Sequence, residues 1–170
     1  MAKYLILGGA RSGKSTFAEG VVERLAKIKC LNKVYLATAT ADDNEMACRI
    51  ERHQLSRDEN WRLIEEPISV AQIIHKLKKD DCLLIDCLTL WLSNCLHKDC
   101  WSEQRESFFN ALAACQANIV MVSNEVGGGV VPIGALSRQF VDESGWLHQK
   151  LAKQCDHVSV IVAGLENKLK

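Results

Sequence analysis

The sequence has little of several features that mark particular classes of protein. Its 170 residues include only two prolines and ten glycines, which excludes collagen-like chains and chains built on long proline-rich linkers. The 21 lysines and arginines balance 21 aspartates and glutamates, so the formal net charge is zero. A nucleic-acid-binding domain normally carries a positive excess, and an acidic disordered chain carries a negative one. We therefore expect neither a disordered chain nor a nucleic-acid partner.

Long hydrophobic runs are also missing. The longest apolar stretch, residues 82–96, spans about 15 residues and contains Asp86, whereas a membrane-spanning helix needs about 20 apolar residues. The first ten residues do not follow the pattern of a secretory signal peptide. We therefore expect no membrane span and no export.

Cysteine, in contrast, is abundant, with eight residues in the chain. Eight cysteines in a short secreted protein would suggest four disulfides. However, the sequence has no C-x-x-C pair, and the group formed by Cys95, His97 and Cys100 has no second half that would complete a zinc site. The pattern favours reduced, mostly buried thiols in a cytoplasmic protein.

Short apolar runs alternate with helical patterns along the whole chain. The predicted strands are residues 3–7, 33–38, 61–64, 82–86, 118–122 and 157–162. Residues 157–162 are predicted to form the last strand of the chain. The predicted helices are residues 15–29, 42–55, 70–77, 89–96, 103–115 and 136–151. Continuous apolar strands separated by helices are typical of a mostly parallel sheet with helices on both faces. Because no linker or repeat interrupts the pattern, we predict a single α/β domain over residues 1–170.

One motif follows the first predicted strand and opens the first predicted helix. It fits G-x-x-x-x-G-K-S and consists of Gly8, Gly9, Ala10, Arg11, Ser12, Gly13, Lys14 and Ser15. In such a phosphate-binding loop, or P-loop (residues 8–15), backbone N–H groups and the helix N-terminus surround phosphate oxygens. We expect Lys14 to reach the β- and γ-phosphates and Ser15 to ligate Mg²⁺. The motif predicts a nucleotide-binding protein but does not identify its reaction.

Polar residues follow several of the other strands, at the edge where ligands bind in open α/β sheets. They are Thr38, Ala39 and Thr40 after the second strand, Asp86 after the fourth, and Ser123, Asn124 and Glu125 after the fifth. Asp86 is a candidate carboxylate for the outer coordination sphere of Mg²⁺, or else the N-cap of the helix that follows. The three glycines at 127–129 suit close approach to a ligand, or else an ordinary flexible turn.

On the second predicted helix, Glu45, Arg49 and His53 are spaced by four residues and share a face, with Arg52 beside them. A neutral histidine near arginines can attack a phosphate, although a lone surface histidine is usually only solvated. The pattern alone leaves His53 unassigned. The other four histidines show no such grouping.

Several strings taken together resemble one family. They are the P-loop, Ala37-Thr38-Ala39 with Arg49-Ile50-x-x-His53, Asp86-Cys87-Leu88-Thr89-Leu90-Trp91, Asn124-Glu125-Val126-Gly127 and Arg138-x-Phe140-x-Asp142. In this combination, the chain is similar to the bifunctional adenosylcobinamide kinase / adenosylcobinamide-phosphate guanylyltransferase family of cobalamin biosynthesis. The similarity extends from end to end, and the strings around His53 and Asn124 are its most specific parts.

The resemblance implies two reactions. ATP or GTP phosphorylates the aminopropanol hydroxyl of adenosylcobinamide, and GMP then passes from GTP through a histidine to the cobinamide phosphate. The guanylylated histidine falls on His53, so we expect guanylylation to fade below about pH 6, where imidazole becomes protonated. The implied nucleotide contacts fall on the P-loop, Thr38–Thr40, Glu65 and Asp86, with Glu66 as a neighbouring alternative to Glu65.

The resemblance also implies a RecA-like P-loop sheet with one antiparallel strand, Mg²⁺ held by Ser15 and Asp86, and a homotrimer. Two other interpretations remain. The chain could be a small-molecule P-loop kinase without a guanylyltransferase step, or a nucleotide-binding switch that acts through a partner protein.

Overall fold

The computed structural model describes residues 1–39 and 60–170. Its strands are β1 (Lys3–Gly8), β2 (Asn32–Ala37), β3 (Trp61–Glu65), β4 (Asp81–Asp86), β5 (Asn118–Asn124), β6 (His157–Val162) and β7 (Leu165–Lys168). Its helices within these residues are α1 (Lys14–Lys29), α2 (Val70–His75), α3 (Leu88–His97), α4 (Trp101–Ala114) and α5 (Ala135–Gln154). The helix predicted over 42–55 lies outside the described residues.

The seven strands form one sheet in the order β3-β2-β4-β5-β1-β6-β7. Every neighbouring pair is parallel except β6 and β7, which are antiparallel. The predicted fold class, a mostly parallel sheet with one antiparallel strand, is confirmed. Strands β1 and β2 are consecutive in the chain, but β4 and β5 lie between them in the sheet. Strand β5 is the neighbour of both β1 and β4.

Alternate residues of each strand face opposite sides of the sheet, and each side has its own core. On one side, Ile6, Leu84 and Val120 pack with Ala18 and Val22 of α1. On the other side, the strands pack against α2, α3, α4 and α5, and the two sides together cover the sheet. The continuous apolar runs predicted as buried strands are therefore buried on both faces.

Trp91 illustrates how the larger core is held. Its side chain is completely buried between Trp101 and Phe108, with ring centroids 5.1 and 4.8 Å away. Its indole N–H donates to the carbonyl of Ile68 at 2.8 Å, so that burying the ring leaves no orphaned donor. The contact joins α3 and α4 to the segment that precedes α2.

The prediction that residues 157–162 form the last strand is wrong, because β7 follows it. Ala163 and Gly164 form the connecting turn with φ of 51° and 79°, the left-handed backbone that two-residue hairpins favour. All four residues of β7 are exposed, so the apolar pattern that reveals buried strands is missing there. Strand β5 is also two residues longer than predicted, because Ser123 and Asn124 continue the ladder opposite Leu7 and Gly8.

Candidate active site

The carboxyl ends of β1, β5 and β4 meet at one edge of the sheet. Gly8, the last residue of β1, lies opposite Asn124 of β5, and Asp86 of β4 lies opposite Val122 of β5. Strand β5 lies between the strand that leads into the P-loop and the strand that carries Asp86. These two strands are therefore two inter-strand steps, or about 10 Å, apart across the sheet. The sheet order brings together two motifs that are more than 70 residues apart in the sequence.

The P-loop is compact, and its two motif glycines are required by its shape. A Cβ at Gly8 would lie 2.5 Å from the Ser12 hydroxyl and 2.6 Å from the Ile161 carbonyl, so no side chain fits there. Gly13 precedes α1 with φ of 91°, a conformation that glycine adopts at little cost. The loop thus reaches the N-terminus of α1 in the tight course that its sequence predicts.

Lys14 and the β6–β7 turn fix the loop from two sides. The ammonium of Lys14 donates to the Gly9 carbonyl at 3.0 Å, which places the charge over the loop. From the other side, the N–H of Gly164 donates to the Ser12 carbonyl at 2.8 Å. The turn that leads into the strand missed by the prediction therefore contacts the P-loop directly.

Asp86 faces the α1 side of the sheet, where Tyr35 of β2 donates its hydroxyl to the carboxylate at 2.9 Å. The N-cap position of α3 is occupied by Cys87, and no side chain caps that helix. The alternative interpretation of Asp86 as a helix cap is therefore excluded. The hydrogen bond from Tyr35 orients the carboxylate, and neither sequence spacing nor motif had indicated it.

Thr38 is completely buried, and its polar groups are used within the protein. Its hydroxyl donates to the Cys87 carbonyl at 2.7 Å and accepts from the Cys87 N–H at 2.8 Å. Its own N–H donates to the Asp86 carbonyl, and its carbonyl accepts from Asn94 at 2.8 Å. In this conformation Thr38 holds the end of β4 in place instead of offering a group to a ligand, while Ala39 beside it is partly exposed.

His148 takes part in a contact that sequence reasoning missed. Its Nε2 atom lies 2.7 Å from the hydroxyl of Ser123 at the end of β5. Burial lowers the pKa of His148, and the charge of Glu125 opposes that shift. Because 25 residues separate the two partners, no local pattern connects them; only the packing of α5 on β5 does.

The backbone N–H groups of Asn124 and Glu125 bind the elements next to the end of β5. The N–H of Asn124 donates to the Thr89 hydroxyl at 2.9 Å, and the N–H of Glu125 donates to the Gly8 carbonyl at 3.0 Å. Among residues 1–39 and 60–170, two buried side-chain oxygens have no hydrogen-bond partner, the Asn124 Oδ1 and the Ser12 Oγ. Both belong to the P-loop end of the edge, where a bound ligand can satisfy them.

Glu65 and Glu66 differ in what they do. Glu66 accepts the N–H groups of Ile68 and Ser69 at 3.0 and 2.8 Å, which fixes the entry to α2. Glu65 ends β3 and is exposed. Four inter-strand steps separate β3 from β1, so Glu65 lies about 19 Å from the P-loop strand. The remaining sequence candidates, Thr40, Glu45, Arg49, Arg52 and His53, lie outside the described residues.

Solved structures of low sequence identity share the fold. The flagellar accessory protein FlaH of Methanocaldococcus jannaschii matches with a TM-score of 0.55 and 12% identity over 99% of this chain and 78% of its own. A KaiC-like protein of Pyrococcus horikoshii matches with a TM-score of 0.56 and 14% identity over 94% of this chain and 70% of its own. These likenesses concern the fold alone and show nothing about the reaction.

Sequence relatives are much closer. The bifunctional adenosylcobalamin biosynthesis protein CobP of Pseudomonas aeruginosa is 48% identical over 98% of this chain and 96% of its own length. The corresponding CobU protein of Escherichia coli is 37% identical, with 98% of both chains covered. The model of the cobinamide kinase / cobinamide phosphate guanyltransferase family matches residues 4–169. The chain therefore belongs to the cobinamide kinase / cobinamide phosphate guanyltransferase family.

Proposed function

We propose that this protein carries out two successive reactions. It phosphorylates the aminopropanol hydroxyl of adenosylcobinamide with ATP or GTP, and it then transfers GMP from GTP to the resulting phosphate. The observation that carries the proposal is the P-loop, whose Gly9 carbonyl binds the Lys14 ammonium, at the same edge of the sheet as Asp86, in a chain of this family. Phosphoryl transfer depends mainly on positioning and on charge stabilisation, which such an edge supplies.

The P-loop supplies the positive potential for the first reaction. Backbone N–H groups of Gly9–Gly13 and the N-terminus of α1 surround the phosphates, and Lys14 leaves the Gly9 carbonyl for the β- and γ-phosphates. These donors stabilise the charge that develops on the transferred phosphoryl group and on the leaving nucleoside diphosphate.

The donor set fits a magnesium ion. Ser15 at the start of α1 and Asp86 both offer oxygen, which Mg²⁺ prefers. When bound, the ion neutralises phosphate charge and orients the nucleotide. Tyr35 holds the Asp86 carboxylate toward the α1 side, and Thr38 fixes the backbone that carries it.

For the second reaction we propose His53 as the residue that carries GMP. Its neutral imidazole attacks the α-phosphorus of GTP, pyrophosphate leaves, and the cobinamide phosphate then displaces the histidine. This route divides a transfer between two anions into two displacements. Glu65, Ala39 and Thr40 are the nucleotide contacts that we propose for this reaction. Glu66 is a poorer candidate than Glu65, because its carboxylate already accepts two N–H groups at the start of α2.

We further propose that the protein acts as a homotrimer in a reducing compartment such as the cytoplasm. Large apolar side chains are exposed between β5 and the middle of α5, namely Val130, Val131, Ile133, Leu136 and Trp146, and an interface between copies would cover them. The seven cysteines of the described residues are free thiols. Burial raises the pKa of Cys82, Cys95 and Cys155 to about 12, which keeps them unreactive.

Incubation with GTP tests the proposal against its two alternatives. The expected result is one GMP covalently bound per chain, located by mass spectrometry, together with cobinamide-dependent consumption of ATP. A kinase without the second activity would form no adduct. A nucleotide switch would show no turnover with cobinamide and a nucleotide-dependent affinity for another protein instead. Light scattering during chromatography measures the mass of the assembly.

A further inference from the structure

Glu125 occupies a defined position beside the P-loop. It is the first residue after β5, the strand between the P-loop strand and the Asp86 strand. Its N–H donates to the Gly8 carbonyl at 3.0 Å, and the preceding residue is anchored to Thr89 at 2.9 Å. The backbone of Glu125 is therefore fastened to the first residue of the P-loop, and its side chain starts within a few ångströms of that loop.

Within residues 1–39 and 60–170, the hydrogen bonds to the carboxylate of Glu125 come from its own loop, and its charge also acts on His148. One oxygen accepts the N–H of Gly127 at 2.8 Å, and the other accepts the N–H of Gly128 at 3.2 Å. Both bonds are exposed, and so is the side chain. A carboxylate that is bound by two exposed backbone amides can leave them at small cost, because water or an arriving anion replaces it.

The other carboxylates that end the described strands at this edge are engaged or distant. Asp86 accepts the Tyr35 hydroxyl and belongs to the proposed magnesium site. Glu65 lies about 19 Å away along the sheet. Glu125 is therefore the strand-end carboxylate that is both adjacent to the P-loop and available to a substrate.

We propose that Glu125 is the general base of the phosphoryl-transfer reaction, an inference that rests on the proposed function. The substrate hydroxyl gives its proton to the Glu125 carboxylate as its oxygen forms a bond to the γ-phosphorus. The bond between the γ-phosphorus and the β–γ bridging oxygen breaks, and the nucleoside diphosphate leaves with that electron pair. The protonated carboxyl group then loses its proton to solvent.

The two amides of Gly127 and Gly128 define the resting position of this base. They hold the carboxylate within the loop that follows β5 before the substrate arrives. Because the Glu125 backbone is fastened to Gly8, a rotation of this exposed side chain is enough to bring the carboxylate to an alcohol at the P-loop. A Cβ on Gly127 or Gly128 would lie 3.1 or 3.2 Å from a carboxylate oxygen, so both glycines also leave room for this contact.

The test is the Glu125→Gln variant, which keeps the size of the side chain but cannot accept a proton. In a single-turnover assay with saturating ATP and cobinamide, we expect phosphorylation to slow by about 10²–10⁴-fold, the usual contribution of a general base. The affinity for nucleotide, measured by calorimetry, should stay within about twofold, since the carboxylate binds no phosphate. Glu125→Asp should recover part of the rate. Glu106→Gln, an exposed glutamate on α4, is the matched control.

A second reaction separates this inference from the proposed function. When cobinamide phosphate is supplied directly, Glu125→Gln should transfer GMP to it at the wild-type rate. Phosphorylation at the wild-type rate in Glu125→Gln would overturn the assignment, and so would loss of both reactions in a variant whose thermal unfolding is unchanged. If the wild-type protein does not phosphorylate cobinamide, the proposed function itself fails, whatever the variant does.

Discussion

The carboxyl edge of the sheet has two halves that are built differently. The inner half, at the ends of β1, β5 and β4, is held by backbone contacts among Gly8, Ser12, Glu125 and Gly164. The outer half, at the ends of β2 and β3, offers an exposed Glu65 and a Thr38 whose groups already serve the fold. Among the residues that the structure describes, the inner half thus contains a loop fastened by backbone hydrogen bonds, while the outer half contains an exposed carboxylate and a buried hydroxyl.

This difference suggests that the two reactions depend on different halves. About 19 Å separates β3 from β1, so a side chain at the end of β3 and a group in the P-loop cannot contact the same phosphate. Variants in each half test whether the loss of activity can be confined to one reaction.

The largest expected effect is that of His53→Ala, which in our proposal concerns the GMP-transfer reaction. Without the imidazole, no GMP adduct should form from GTP labelled at the α-phosphate, while phosphorylation of cobinamide continues at the wild-type rate. His148→Ala is not a suitable comparison, because that side chain is partly buried and lies 2.7 Å from the Ser123 hydroxyl. The exposed His97→Ala is the matched control, and it should form the adduct normally. Adduct formation in His53→Ala would remove the histidine from this role.

Lys14→Ala should damage both reactions, because each needs a triphosphate held by positive charge. Loss of a preorganised donor to a developing anion typically costs about 10²–10³-fold in rate, and we expect that loss in cobinamide phosphorylation. The GMP transfer should fall as well if the same P-loop holds GTP. An unchanged GMP transfer beside a lost kinase reaction would show that the outer half binds its own nucleotide.

The positions of many residues in the inner half could be predicted from the sequence, because these residues either belong to the P-loop motif or directly follow a buried strand. Gly8, Gly13 and Asp86 stand where the strand pattern places them, and the conformations of the glycines agree with it. What could not be predicted depends on partners far apart in the chain. Three hydrogen bonds at this edge join residues that are distant in sequence. Tyr35 and Asp86 are 51 positions apart, Gly164 and Ser12 are 152 apart, and His148 and Ser123 are 25 apart.

Glu65→Gln tests the outer half more finely. Removing a charged acceptor from a nucleotide hydrogen bond of about 1.5–3 kcal/mol should raise the KM for GTP in the transfer reaction by about 10–100-fold. Cobinamide phosphorylation should not change, since β3 is far from the P-loop. Glu66→Gln is the neighbouring control: it weakens the contacts that begin α2 and should lower thermal stability, with a smaller effect on KM.

Thr38→Val distinguishes a ligand contact from a structural role. Valine keeps the shape of the side chain but leaves the Cys87 N–H and carbonyl without their present partner. An orphaned buried polar group costs about 1–3 kcal/mol, so we expect the free energy of unfolding in urea to fall by about 2 kcal/mol. Nucleotide affinity should change little. A large loss of GTP binding at unchanged stability would instead make Thr38 a direct nucleotide ligand.

The smallest expected effect concerns the pH dependence of the inner half. Burial lowers the pKa of His148, so the unfolded chain binds a proton more readily than the native protein. The free energy of unfolding should therefore decrease as the pH falls below about 6.5, by at most about 1.4 kcal/mol per pH unit, until the native pKa is passed. In His148→Gln this part of the slope should disappear, whereas His97→Gln, on an exposed position, should leave it unchanged. Equal slopes in His148→Gln and the wild-type protein would mean that His148 is as readily protonated in the native state as in the unfolded one, and that Ser123 and the end of β5 are not held by a neutral imidazole.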